Sequence, residues 1–163
     1  MRWWRHLFAP SAQAAFPEPS LDRIAKAIAE GERLHDGQVM FAVESDLPLS
    51  AIWKGVSPRD RADHAFAVLR TWDTRANNGV LIYLLLADHA IEIVADRGLR
   101  EAVDAARWQQ VCDHLREQLQ QGDREASVLA AVAEVSQLLA MYFPPDSSRP
   151  SGNELPDRPQ LLG

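Results

Sequence analysis

The sequence has little of three features that would indicate a specialised class of protein: cysteine, surplus positive charge and long apolar runs. Its 163 residues contain one cysteine, Cys112, so an internal disulfide is excluded. Lysine and arginine total 17 against 23 acidic residues, a formal net charge of −6, whereas binding to a nucleic-acid backbone relies on clustered positive charge. We therefore expect no nucleic-acid partner, and the single thiol suits a reducing compartment.

The longest apolar run is too short to cross a membrane. Val80 to Leu86 supplies seven residues, whereas a membrane-spanning helix needs roughly 20. Near the N-terminus, His6, Pro10 and Gln13 interrupt the apolar residues, so the continuous core of a signal peptide is missing. We expect a cytoplasmic protein with no transmembrane segment and no signal peptide.

The two ends of the chain differ in composition from its middle. Residues 1–17 contain two arginines, Arg2 and Arg5, close to four large apolar residues: Trp3, Trp4, Leu7 and Phe8. Two interpretations stay open for this leader segment, one in which it packs on the domain or is mobile, and one in which it makes weak contact with an anionic membrane surface. Residues 146–163 are rich in proline and lack a periodic apolar pattern, which predicts a disordered tail. One domain remains, residues 18–145.

Between these ends, helical and strand patterns alternate. Apolar runs at 39–43, 80–86 and 90–95 predict strands, and apolar residues at helical spacing predict helices before, between and after them. A helix separates the first two strands, so they should be parallel. Asp88 and His89 leave room only for a hairpin between the second and third strands. The order predicts an α/β fold with helices on both faces of a mixed sheet.

This topology gathers polar residues at one edge of the predicted sheet. The hairpin should bring Asn77 and Asn78, before the second strand, beside Asp96 and Arg97, after the third strand. Asp73 should enter from the same side, and Asp104 should cap the helix that follows. Carboxylate and amide oxygens are the ligands that Ca²⁺ and Mg²⁺ prefer. The candidate metal ligands are Asp73, Asn77, Asn78, Asp96 and Asp104. Structural roles stay open for each of them, as a turn, an ion pair or a helix cap.

The stretch WDTRANNGVLIYLLLADHAIEIVADRGL, residues 72–99, resembles the TPM domain family, also described as TPM phosphatase domains. The W-D-T-x-x-N-N-G-V-L and V-A-D-R-G elements carry this resemblance. It extends over about residues 18–145 and is strongest with short bacterial members that have no signal peptide or membrane span. What the resemblance implies is a three-layer α/β/α sandwich around a small mixed sheet. It also implies divalent-cation binding, acid phosphatase activity as in plant thylakoid relatives, and a link to membrane-protein maintenance or assembly.

Two functions from different classes follow. The first, which we favour, is a non-catalytic module that binds a divalent cation, Ca²⁺ or Mg²⁺, and an unidentified protein partner at the cytoplasmic face of a membrane. The second is a metal-assisted acid phosphatase in which Asp73 and Asp96 hold the ion, while His35 acts as general acid or base and Arg97 holds the phosphate. In the resemblance, Glu32 and His35 stand on an E-x-x-H element. The pattern supplies only some of the parts that a phosphatase needs.

Overall fold

Helices cover both faces of a four-stranded sheet in the computed structural model, which describes residues 2–148 and 152–163. The helices and strands follow one another in this order: α1 (Arg2–Leu7), α2 (Ala12–Ala15), α3 (Glu18–Gly31), β1 (Gln38–Glu44), α4 (Leu49–Trp53), α5 (Pro58–Val68), β2 (Gly79–Leu85), β3 (Ala90–Ala95), α6 (Arg97–Ala102), α7 (Ala105–Gln120), α8 (Arg124–Tyr142) and β4 (Gln160–Leu162). Across the described residues, no helix has both the length and the apolar character that crossing a membrane requires.

The sheet is mixed, with the strand order β3-β2-β1-β4. β1 runs parallel to β2, and β2 runs antiparallel to β3, as the helical crossover and the short hairpin predict. His89 completes the hairpin with a positive φ of 49°. The expected α/β sandwich with helices on both faces of a mixed sheet is confirmed.

β2 is buried on both faces because its side chains alternate between two apolar layers. Val80, Ile82 and Leu84 belong to the larger layer, which also contains apolar residues of α3, α7 and α8. Leu81 and Leu85 point to the opposite face, where they pack in a smaller layer with residues of α5. The apolar run of the sequence is therefore the central strand of the domain.

The C-terminal segment is ordered where its composition predicts disorder. β4 pairs in parallel with β1, and Leu155 is buried in the smaller apolar layer. The side-chain oxygen of Gln38 accepts hydrogen bonds from the backbone N–H groups of Glu154 and Leu155, at 3.0 and 3.2 Å. The prediction of a disordered tail is wrong for residues 152–163, because the open edge of β1 offers backbone partners that composition does not reveal. Residues 149–151 lie outside the described residues.

The N-terminal segment packs on the domain through both polar and apolar contacts. Arg2 donates from Nε and Nη2 to Asp88 Oδ2, at 2.9 and 2.7 Å, and His6 Nε2 lies 3.3 Å from Asp88 Oδ1. Phe16 is fully buried and meets Phe41 edge to face, with 5.7 Å between the ring centroids. Of the interpretations of the leader, packing on the domain is the one that the structure shows.

Candidate functional site

The predicted polar residues separate into two groups, on either side of the loop that leads into β2. Glu32, His35 and Asn78 line a pocket of about 770 Å³, which we call the α3–β1 pocket because the end of α3 and the start of β1 form much of its wall. Asn77 instead contacts Gly98, in the first turn of α6, and Asp96 is the residue that caps this helix. The sequence pattern predicts Asn77, Asn78 and Asp96 at one sheet edge, whereas the structure puts Asn78 in the pocket and apart from the other two.

Asp96 links the first residue of β2 to the beginning of α6. Its backbone N–H donates to Gly79 O at 2.9 Å, and its Oδ1 accepts from the next N–H along the chain at 2.7 Å, which caps α6. Gly98 lies so close to the loop that a Cβ at this position would be 2.7 Å from both Ala76 O and Asn77 O. The carbonyl of Asn77, a residue with φ of 51°, accepts from Gly98 N–H at 2.9 Å.

The other oxygen of Asp96 is unsatisfied. Asp96 is 9% exposed, and Oδ2 is buried without a hydrogen-bond partner. A buried carboxylate oxygen without a donor is unfavourable, so such an atom needs an explanation. The carbonyl oxygens of Ala76 and Asn77 lie against Gly98, two residues along the chain from Asp96.

Asp73 and Asp104 have partners of their own. The half-exposed carboxylate of Asp73 accepts from Arg70 Nη2 at 2.7 Å. Asp104 is exposed and caps α7, accepting from the N–H of Ala106 at 3.2 Å. In residues 2–148 and 152–163, no group of three or more His, Cys, Asp or Glu side chains is arranged to hold a metal ion. The structure thus does not bring the five candidate ligands together, and capping accounts for Asp104.

The α3–β1 pocket combines a buried imidazole with a perturbed carboxyl group. His35 is 3% exposed, its Nδ1 lies 3.1 Å from Gly37 O, and burial lowers its pKa. Glu32, at the end of α3, accepts from Val39 N–H at 2.8 Å. Burial raises the pKa of Glu32 to about 8, and the nearby Asp157 carboxylate adds to this rise. Two groups with altered proton affinity in one pocket are a common mark of a binding site.

Five further charged residues line this pocket that the sequence pattern did not indicate: Arg33, Asp36, Arg75, Glu154 and Asp157. Arg75 follows the W-D-T element but matches no motif position. Glu154 and Asp157 lie in the segment predicted to be disordered, and no local pattern connects them to α3. Glu154 Oε2 accepts from the N–H of Arg75 at 3.0 Å, a contact that links positions 79 residues apart.

Comparison with known proteins identifies the family of this chain. The chain is similar to the BA42 protein of the psychrophilic bacterium Bizionia argentinensis, whose NMR structure it matches with a TM-score of 0.77 and 24% sequence identity. The match covers 88% of this chain and 93% of that chain, and at this identity it shows a shared fold. Among curated proteins, no match was found. The family model of the TPM domain matches residues 13–138, and the chain therefore belongs to the TPM domain family.

Proposed function

We propose that this protein is a non-catalytic, cytoplasmic module that binds a divalent cation, Ca²⁺ or Mg²⁺, and a protein partner. The observation that carries the proposal is the buried Oδ2 of Asp96, which has no hydrogen-bond partner. The carbonyl oxygens of Ala76 and Asn77 lie against Gly98, in the first turn of the helix that Asp96 caps, and carboxylate and carbonyl oxygens are the ligands that Ca²⁺ and Mg²⁺ prefer. A cation bound there would satisfy this oxygen and offset the cost of burying a charged group. Since Asp96 caps α6 and the carbonyls belong to the loop before β2, cation binding would also hold these two segments together.

The proposed ligand set is smaller than the sequence pattern suggests. Asp96 and the loop at Asn77 form its centre, and Asp73 lies on the same loop. An exposed ion pair such as that between Asp73 and Arg70 contributes little stability, so Asp73 is able to exchange Arg70 for a cation. Asn78 does not belong to this ligand set, because it lines the α3–β1 pocket, where its Nδ2 donates to Asp36 O at 2.6 Å.

The acid phosphatase remains the alternative function, and the arrangement of its parts favours it less. Catalysis would need a proton-transfer group and a phosphate-binding group at one reacting centre. His35 lines the α3–β1 pocket, whereas Arg97 is exposed at the first position of α6 and does not line that pocket. Binding requires only the oxygens around Asp96, so we favour it over catalysis.

Millimolar Ca²⁺ or Mg²⁺ is expected to raise the melting temperature of the full chain, and Asp96→Asn is expected to abolish the increase. An ion at about 100 times its Kd adds about 2.7 kcal/mol, which corresponds to roughly 5–10 °C for a chain of this size. Asparagine is as good an N-cap as aspartate, so the variant should keep α6 capped and stay folded without the ion. Thermal unfolding followed by circular dichroism, with and without each ion, measures the effect.

Asp104→Asn provides the matched control, because it makes the same chemical change at another helix cap. Its response to the ions should equal that of the wild type. A melting temperature of the wild type that neither ion changes, or an unchanged response in Asp96→Asn, would contradict the cation site. Hydrolysis of a phosphate monoester by the purified protein that Asp96→Asn removes would favour the phosphatase instead.

We also propose that the N-terminal segment makes weak contact with a membrane surface, which would place the module near membrane proteins. Trp4 and Phe8 are half or more exposed and stack on each other with 6.1 Å between ring centroids. Arg5 is exposed beside them, and Trp53 on the neighbouring helix α4 is 86% exposed. Exposed aromatic rings beside a cation suit the interface of an anionic bilayer. Arg2 takes no part, since Asp88 holds it.

Vesicles that contain phosphatidylglycerol are expected to co-sediment a fraction of the protein, and the double change Trp4→Ser with Phe8→Ser should remove this fraction. High salt should weaken the contact, because part of the attraction is electrostatic and screened by salt. Leu34→Ser is the control, since Leu34 is comparably exposed but lies in the turn that follows α3. Equal sedimentation of the double variant and the wild type would contradict the surface contact.

A further inference from the structure

The α3–β1 pocket contains two buried hydrogen-bond acceptors without donors, and the first is His35 Nε2. His35 Nδ1 lies 3.1 Å from Gly37 O, and a carbonyl oxygen only accepts, so the proton of the imidazole must be on Nδ1. Burial lowers the pKa of His35, which favours the neutral ring. Nε2 therefore presents a lone pair, and the residue that carries it is only 3% exposed.

The second acceptor is Asn78 Oδ1. Asn78 Nδ2 donates to Asp36 O at 2.6 Å, and this contact determines which end of the amide is nitrogen. Oδ1 is buried without a partner, and Asn78 as a whole is 2% exposed. Both unsatisfied atoms of the pocket thus need a donor rather than an acceptor.

The charged groups of the pocket select a cationic donor. Two carboxyl groups lie near each other at its wall, Glu32 from α3 and Asp157 from the C-terminal segment. A ligand that presents only anionic oxygens offers no hydrogen-bond donor and would leave both acceptors unsatisfied. An N–H-bearing cation meets every requirement at once.

We propose that the α3–β1 pocket binds an organic cation, a guanidinium or primary ammonium group, through His35 Nε2, Asn78 Oδ1 and the Glu32 carboxylate. A guanidinium offers five N–H donors in a planar fork and an ammonium offers three, so either can serve several acceptors together. Arg33 and Arg75 also line the pocket and would attract a carboxylate on the same ligand. A basic amino acid, or a peptide that presents one, fits this combination, and the volume of about 770 Å³ accommodates it.

Calorimetric titration of the full chain with arginine and with lysine tests this site. Citrulline is the control ligand, since it replaces the guanidinium of arginine by a neutral urea group and leaves the rest of the molecule unchanged. At least one of the two basic amino acids should bind, with an affinity at least tenfold above that of citrulline. Indistinguishable titrations of arginine, lysine and citrulline would overturn the proposal.

Glu32→Gln should lower the affinity for the organic cation at least tenfold. The variant keeps an amide oxygen to accept from Val39 N–H, so it should fold with a melting temperature close to that of the wild type. Glu30→Gln is the matched control, because Glu30 lies on the same helix with an exposed side chain. An unchanged affinity in Glu32→Gln would contradict the proposed contact.

The pH dependence of binding gives a readout that a purely structural role of Glu32 would not change. The pKa of Glu32 is about 8, so its carboxyl group is largely protonated at neutral pH, whereas a cation prefers the ionised form. Affinity should rise with pH up to about 8 and level off above it, by up to about tenfold per pH unit. Glu32→Gln is needed to assign this rise, because other titratable or charged groups line the pocket: Arg33, His35, Asp36, Arg75, Glu154 and Asp157.

A direct measurement covers the case in which Glu32→Gln does not fold. Addition of arginine or lysine to the wild type should shift the ¹⁵N resonance of His35 Nε2 toward that of a hydrogen-bonded acceptor. No shift under saturating ligand would overturn the proposal. Asp96→Asn should leave this response unchanged, because Asp96 does not line the pocket. The organic-cation site and the divalent-cation site can therefore fail independently.

Discussion

Replacing Leu84 by aspartate is expected to abolish the cooperative unfolding transition of this protein. Leu84 is 1% exposed near the end of β2, the strand between β1 and β3, and it packs in the larger apolar layer. The substitution removes a buried leucine side chain, which alone costs about 2–5 kcal/mol, and places an unpaired charge in the core. The sum approaches the whole stability of a typical domain, about 5–15 kcal/mol.

Circular dichroism during thermal unfolding measures this effect. Leu34→Asp is the matched control, since Leu34 is 60% exposed and the same change there should alter stability by no more than about 0.5 kcal/mol. A Leu84→Asp protein that melts near the wild-type temperature would contradict the central, doubly covered position of β2.

Replacing Arg61 by leucine is expected to cost about 3–5 kcal/mol, which is the usual effect of leaving a buried charge without its partner. Arg61 donates to Glu44 from Nε at 2.8 Å and from Nη2 at 2.7 Å, and the Glu44 side chain is only 2% exposed. Tyr83 Oη donates to the same carboxylate at 2.5 Å. Burial, followed by this carboxylate, raises the pKa of Tyr83, so the hydroxyl keeps the proton that it donates.

Urea denaturation of Arg61→Leu, alone and combined with Glu44→Gln, measures the effect and its cause. The double variant should recover part of the loss, because glutamine removes the unpaired negative charge. Arg23→Leu serves as control, since its ion pair with Glu125 is exposed on the arginine side and such pairs contribute about 1 kcal/mol or less. An Arg61→Leu protein as stable as the wild type would show that the buried Glu44 carboxylate does not need Arg61 as an ion-pair partner.

The strands β1, β2 and β3 were predictable, because a local apolar run marks each of them, whereas no such run marks β4. β3 has the predicted bounds, and β2 begins and ends one residue earlier than the apolar run indicates. A run of seven apolar residues that includes Val, Ile and Tyr has the length and composition of a strand, and a strand covered on both faces buries all of its side chains. The parallel and antiparallel pairings then follow from the lengths of the connections.

The candidate site was predictable only in part, because topology places backbones and not side chains. The hairpin predicts that the loop at Asn77 meets the turn at Asp96, and the structure places them together. Whether Asp73 faces the same turn depends on a side-chain rotamer, and in the structure Asp73 pairs with Arg70. Asn78 shares a loop with Asn77 yet lines a different pocket, a difference of one residue that a pattern of polar residues does not resolve.

The sequence by itself determined the fold, the family and the position of the central strand, since all three depend on periodic or contiguous residues whose pattern survives without coordinates. Only the tertiary structure decided the form of the α3–β1 pocket and the order of the C-terminal segment. Those features depend on single polar contacts between distant positions, such as Gln38 with Glu154, which are 116 residues apart. One such contact leaves no periodic trace, because a lone glutamine and a backbone N–H are equally compatible with many partners until the folded chain brings them together.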